Sequence, residues 1–265
     1  MIPNEEFQPP PPPSPGTPAP TGPTMSTGET ITGIFFEPGR VFESMRERPR
    51  FLIAGVIIAV AIMVFTTLFF QRVGYDRVVR EGAENSSRFQ QLTPEQQEQQ
   101  LRIQSSPIVK AIYFVLPLLF TAIILAAGGA LYLLGSMLMA KQITYKQALA
   151  VWSYASLPPI TISMLLNVVL LFLKSPDDYD IVSAQRHGLV KANLGWLADP
   201  KSSPMLATAL GSIDLFAFYG LFLAAIGLRK VGKMSSGSAW GIVLTFWAIF
   251  LVLRIAMAGI FGQAM

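Results

Sequence analysis

Long stretches of this chain carry no charge at all, and no other feature narrows its fold as much. Phe51 to Phe70 is twenty uncharged residues, and Ala111 to Ala140 is thirty. A helix needs about 20 mostly apolar residues to cross the hydrocarbon core of a bilayer. Three later runs are similar: 147–173, 205–228 with the single charge Asp214, and 239–261 with the single charge Arg254. No alternation of apolar and polar residues is sustained, which argues against a membrane β-barrel. Helices remain, because backbone polar groups in lipid must be satisfied within their own segment. The expected fold is an all-α membrane protein with five transmembrane helices, at about 51–70, 111–138, 147–173, 205–228 and 239–261.

Composition agrees. Of the 265 residues, 52% are apolar and 14% charged, whereas ordinary soluble domains carry about 25% charged residues. Such a chain cannot clothe a normal aqueous surface. The net charge of +4 then reads as a topological signal rather than a nucleic-acid signature, and no nucleic-acid partner is expected.

The first 29 residues form a different regime. Ten of the 20 prolines lie between Pro3 and Pro23, including the run Pro9 to Pro13. Such a segment buries too little apolar surface to offset its ordering entropy. Residues 1–29 are expected to be a disordered proline-rich cytoplasmic tail, and 30–265 the membrane domain. Between tail and first span, Pro38 can open a helix that puts Val41, Phe42 and Met45 on one face. This predicts a short amphipathic helix lying in the membrane interface.

Orientation follows from the basic residues near span ends. Arg40, Arg46, Arg48, Arg50, Lys141, Lys146, Arg229, Lys230 and Lys233 fall on one side of a five-span chain. The opposite side holds ten basic residues, but in long loops with nine acids. By density the short loops are cytoplasmic. The N-terminus is then cytoplasmic, the C-terminus extracytoplasmic, and Arg229, Lys230 and Lys233 form a cytoplasmic basic turn. In the first long loop, Thr93, Pro94 and Gln96 have the spacing of a helix start.

Chemistry has few footholds. There are no cysteines and one histidine, His187, in a polar loop, so thiolate sites and histidine clusters are excluded. No catalytic elbow, zinc-protease motif or phosphate loop occurs. Gly211-Ser212 has no histidine in any span to serve as its base. No catalytic, cofactor-binding or metal-binding residue is assigned. The anomaly is Asp214 and Arg254, two opposite charges inside apolar runs. Each is twenty residues from Met234, so an antiparallel hairpin places them at similar depth. They are expected to form an intramembrane ion pair that fixes hairpin register. Pro158-Pro159 lacks two N–H donors and should kink or break the third span, with Ser153, Ser156, Thr161 and Ser163 at hand for freed carbonyls. Gly128, Gly129 and Gly135, with Ala122, Ala126 and Ala130, give the second span a small-residue stripe for close packing.

These segments together carry a resemblance. The entry IFFEPGRVFESMRERPRF, the third span with Ala148, Tyr154, Ala155 and Pro158, and the fourth are similar to bacterial members of the Yip family. These are relatives of the eukaryotic Ypt/Rab-GTPase-interacting proteins. The matching positions of the last segment are Asp214, Leu215, Phe216, Tyr219, Gly227, Lys230, Lys233, Ser235, Ser236 and Ala239, with Tyr219 one residue beyond the expected aromatic position. The resemblance covers about residues 30–262 and implies a five-span membrane protein without catalytic residues. Eukaryotic members bind prenylated Rab GTPases; no residue here carries that partner over. The expected function is a non-enzymatic scaffold or membrane-organising, trafficking-type protein in a bacterial cytoplasmic membrane. Its partners would be the bilayer and unidentified proteins, and a homo-oligomer is compatible with it. The alternative is a small transporter or channel subunit using the Asp214/Arg254 pair. A polar cavity reaching Asp214 would favour the alternative; a dry, paired arrangement would favour the scaffold.

Overall fold

The computed structural model describes residues 25–264, the side chains of 87 and 185–187 excepted. The chain enters through α1 (Thr27–Phe36) and α2 (Pro38–Ser44). Next come α3 (Phe51–Val73), α4 (Tyr75–Glu84), α5 (Ser87–Gln90) and α6 (Pro94–Gln104). The long helices α7 (Pro107–Leu138) and α8 (Tyr145–Leu173) follow, then the short α9 (Ile181–His187). The chain closes with α10 (Pro204–Gly211), α11 (Leu215–Val231) and α12 (Ser236–Phe261). Apart from an isolated bridge between Asn193 and Asp214, the described residues hold no β-structure.

Local sequence explains most boundaries. Ser26 and Glu29 form a reciprocal capping box that starts α1, and Thr93 with Gln96 and Thr144 with Gln147 do the same for α6 and α8. Each box satisfies two amides that a helix start leaves orphaned. Pro38 begins α2 as its spacing predicts. The tail boundary moves: α1 starts at Thr27, so residues 27–29 are helical rather than part of the tail. The proline-rich stretch itself lies outside the described residues.

Among the described residues, four helices are long and apolar enough to cross a membrane: α3, α7, α8 and α12. The stretch expected as the fourth span is divided. α10 ends at Gly211, three residues intervene, and α11 restarts at Leu215. The amide of Leu215 donates to the carbonyl of Ala192 at 3.1 Å, and that of Leu194 to Ile213 at 3.3 Å. Two hydrogen bonds to a neighbouring loop thus offset part of what the interruption removes.

α8 is the central helix, packed by α3, α7 and α11, while α12 lies on α11, α10 and one end of α7. Lipid-facing and core-facing stripes separate cleanly on α3. Leu52, Val56, Val60 and Val64 are exposed at intervals of four, while Ala54 and Ile58 are buried. The glycine stripe of α7 is a packing face. A Cβ on Gly128 would collide with the Trp152 ring of α8, and one on Gly135 would lie 2.5 Å from Ile242 of α12. α8 runs without interruption through Pro158-Pro159, so no break occurs there. Thr161 Oγ1 donates to the carbonyls of Leu157 at 2.7 Å and Pro158 at 3.2 Å.

α2 departs from the interfacial expectation. The face formed by Val41, Phe42 and Met45 is buried, as the spacing predicts. It is covered by the protein's own α11 rather than by lipid. Polar contacts clamp the segment. Arg46 donates to the Lys230 carbonyl at 2.7 Å, Gln147 donates to the Arg46 carbonyl, and Arg50 donates to the Met25 carbonyl at 3.0 Å. Lys230 and Glu43 lie 3.6 Å apart, so part of the basic turn is neutralised by α2.

At the opposite, distal end the two long loops meet. Val78 of α4 packs with Phe69, Val73, Leu171, Tyr179, Ile181 and Ala184. Tyr179 donates to the Leu171 carbonyl at 2.6 Å, and Arg77 bridges Glu81 at 2.8 Å and Asp177 at 2.9 Å.

Candidate functional site

The division of the fourth run creates the site. Asp214 is the N-cap of α11, with a carboxylate oxygen accepting from the Ala217 amide at 2.9 Å. It therefore sits at a helix start, not midway along a helix as the apolar run suggests. The cap is a local reason for restarting the helix here, since aspartate at this position satisfies an orphaned amide. Arg254 lies on α12, nineteen residues beyond its Ser235 cap.

Asp214 and Arg254 line one cavity of about 540 Å³. Its walls come from α8 (Ser156, Pro159, Ile160, Ser163), α11 (Ala217, Gly220, Leu221) and α12 (Trp247, Phe250, Leu251). Tyr132 of α7 and Trp152 of α8 close one end, with ring centroids 4.8 Å apart. Val190, Asn193 and Ser212 line the other. That volume is in the usual range for small-molecule sites, roughly 300–1,000 Å³.

Polarity is graded along this space. At about 1.5 Å per residue, Trp152 and Ser163 are about 16 Å apart along α8. By the same rise, Leu221 and Asp214 on α11, and Trp247 and Arg254 on α12, are each separated by about 10 Å. Ser156 apart, the polar lining residues of the three helices lie nearer the distal end. The cavity thus has an aromatic, apolar bottom toward the α2 end and a charged, hydrogen-bonding rim toward the distal loops. The rim is braced by Asn167, a buried side chain of α8 not singled out by sequence reasoning. Its Oδ1 accepts from the amides of Leu189 and Val190, and its Nδ2 donates to the Ser163 carbonyl at 2.8 Å. An asparagine inside an apolar helix was the available signal, because an amide in such a run needs partners.

The other sequence-derived candidates are elsewhere. Pro159 lines the cavity beside Pro158, and an ideal Cβ on Gly220 would lie 3.6 Å from its ring. Arg229 and Lys233 are exposed at the far, α2 end, Lys230 half-buried. Lys233 adopts a left-handed backbone, φ +48°. His187 has its side chain outside the described set. Among the described residues no cluster of three His, Cys, Asp or Glu side chains stands ready for a metal ion.

Comparison with known proteins gives one family and one relative. Residues 32–257 match the family model described as Yip1 domain. A Bacillus subtilis (strain 168) protein described as "Membrane protein YknW" is 24% identical over 237 residues, covering 86% of this chain and 90% of its own length. No solved structure matches. The family match begins inside α1 and ends on α12, so it spans the cavity and both ends of the bundle and leaves the proline-rich stretch aside.

Proposed function

Because the chain belongs to the Yip1 domain family of membrane proteins, we propose that it is a non-enzymatic membrane-organising scaffold that acts through protein partners. One observation carries this reading. The entry segment does not lie loose on a bilayer but is built into a rigid platform at one end of the bundle. Phe42, Val41 and Ile34 are buried there, and Arg46, Gln147 and Arg50 tie the segment to the helix ends. From this platform project Arg48, Lys146, Arg229 and Lys233, together with Phe36 at 86% exposure, while Arg40 is paired with Glu37 at 3.4 Å. A basic face with one protruding aromatic suits an acidic partner surface. The density of basic residues in its short loops supports a cytoplasmic position for this face in a bacterial inner membrane. Five crossings then leave the C-terminus outside, with α10, the three-residue interruption and α11 together making the fourth.

Crosslinking in cells followed by mass spectrometry tests the scaffold. A specific partner should be recovered with the full chain and lost when Arg48, Lys146 and Lys233 are changed to glutamate. Recovery of no specific partner overturns it. In the same reading Asp214 and Arg254 clasp the α11–α12 hairpin. A double-mutant cycle with Asp214→Asn and Arg254→Gln keeps the cap while removing the charges. Coupling below about 0.5 kcal/mol rules out direct pairing.

A second reading, a small transporter or channel subunit, is favoured by the cavity alone. Interrupted helices that place polar groups beside a cavity are a recurrent device of transporters. Passage requires opening past Tyr132 and Trp152. Solute flux into proteoliposomes that rises on Trp152→Ala would support this reading, and flux equal to that of empty vesicles would end it.

A further inference from the structure

We propose that the cavity at the α10–α11 interruption is a binding site for an amphiphile from the bilayer, a glycerophospholipid whose head group sits at the Asp214/Arg254 rim and whose acyl chain runs toward Trp152. This goes beyond both readings above and, where a lipid is bound, gives the Asp214 and Arg254 charges to its head group in place of each other.

Three observations converge. First, the cavity is graded in the sense an amphiphile requires. Asn193, Ser212, Asp214 and Arg254 gather at the distal end, and Leu221, Trp247, Leu251, Trp152 and Tyr132, with the single hydroxyl of Ser156, line the space below. A uniformly polar solute would leave that aromatic bottom unsatisfied, and a plain hydrocarbon would strip water from the rim groups without replacing their hydrogen bonds. Second, the rim places a cation and an anion on one space. A guanidinium suits a phosphate, to which it can donate in bidentate fashion. The Asp214 carboxylate, one of whose oxygens caps Ala217, can accept from an ammonium or hydroxyl of the same head group. Third, the cavity communicates with the surface turned toward lipid. Phe250 both lines it and is 47% exposed, and its α12 neighbours Val252 and Leu253 are exposed as well. A lipid can therefore enter sideways, without crossing either end of the bundle.

The interior is also kept open by construction. Gly128 seats the Trp152 ring, since a Cβ there would collide with it. Asn167 anchors the 189–190 backbone over the rim, and the 192–194 loop satisfies the Leu215 amide and the Ile213 carbonyl at the interruption. The polar groups of the opening are thus held by the fold and not borrowed from the occupant.

The test uses the full-length chain purified in detergent, with Trp196 and Trp240 changed to Phe so that the two cavity tryptophans, Trp152 and Trp247, are the reporters. Phosphatidylethanolamine brominated on its acyl chain is the probe. Saturable quenching of these two tryptophans is expected, with the lipid retained in native mass spectra at one copy per chain. Ser156→Phe, which fills the cavity, should abolish the saturable component. Arg254→Gln should weaken it about tenfold, the scale of one hydrogen bond to a charged group. Asp214→Asn retains the helix cap and so tests the carboxylate without disturbing the fold. Brominated dodecyl maltoside and inorganic phosphate are the control arms. Equal quenching by the maltoside overturns the head-group assignment, and displacement by phosphate alone shows an anion site in place of a lipid site. Quenching that rises linearly with lipid and is unchanged by Ser156→Phe overturns the proposal. So does a native mass spectrum that shows chain dimers and no retained lipid.

Discussion

The two ends of the α8–α11 pair are packed in opposite ways, and glycines measure the difference. At the α2 end, a Cβ on Gly227 would lie 2.7 Å from Val151 and 3.0 Å from Phe42. Midway, one on Gly220 would lie 3.6 Å from Pro159, an ordinary contact. At the interruption, one on Gly211 would meet nothing within 4 Å. One end is closed around Phe42; the other diverges into the cavity. The same sequence class, small residues in apolar helices, thus serves tight packing at one end and leaves room at the other.

The largest expected effect tests whether the closed end carries the stability. Phe42→Ala should cost about 3–5 kcal/mol, the range for a buried aromatic. Phe216→Ala, at the cavity, should cost far less. Thermal unfolding of both variants in detergent checks this, and equal losses would erase the distinction between the ends.

Next come the glycines. Gly227→Leu overpacks the closed end and should destabilise by about 1–3 kcal/mol. Gly211→Ala has open space in a helix and should be neutral or stabilising by up to about 1 kcal/mol. Opposite signs in the same unfolding assay would sharpen the comparison; matching losses would break it.

A smaller effect separates the two roles of Asp214. Removal of its cap in Asp214→Ala should cost about 1 kcal/mol, whereas Asp214→Asn should cost a few tenths. Amide exchange at Ala217 should quicken in the first variant only. If both variants lose equally, charge rather than capping dominates there.

The smallest effect is electrostatic and lies at the entry. The Ser26 backbone amide and hydroxyl hold the Glu29 carboxyl below its ordinary value of 4.5. A lowered value in the folded state means that stabilisation is complete above about 4.5 and is lost as pH falls through the folded value. Protection factors of the α1 amides, corrected for the pH dependence of intrinsic exchange, should therefore fall below pH 4.5 while those of α12 stay constant. Glu29→Gln should remove this dependence.

Much was legible in the residues alone. Thr93-Pro94-x-Gln96 predicted the start of α6, and Val41, Phe42 and Met45 predicted the buried face of α2. These depend on neighbours within one or two helical turns, which a sequence displays directly. The glycine stripe of α7 announced a close approach, though not that Trp152 and Ile242 were the groups approached. Asp214 was singled out as an anomaly, but its capping role was hidden by the apolar residues on both sides. Asn167 was passed over because its partners, Leu189 and Val190, lie more than twenty residues away.

The sequence by itself determined the class: an apolar, helical, membrane-resident chain, with most of its helix starts written as capping residues. Those properties follow from transfer free energy and local hydrogen bonding, which act residue by residue. Only the tertiary structure decided that the fourth run divides and that α2 turns its apolar face to α11 rather than to lipid. Hydropathy rewards both environments alike, because a protein interior and a hydrocarbon core are equally free of water. An interruption inside an apolar run is tolerated only where another segment supplies hydrogen bonds, and here residues 192–194 supply them. The cavity, with Asp214 and Arg254 on its rim, exists because of that distant pairing.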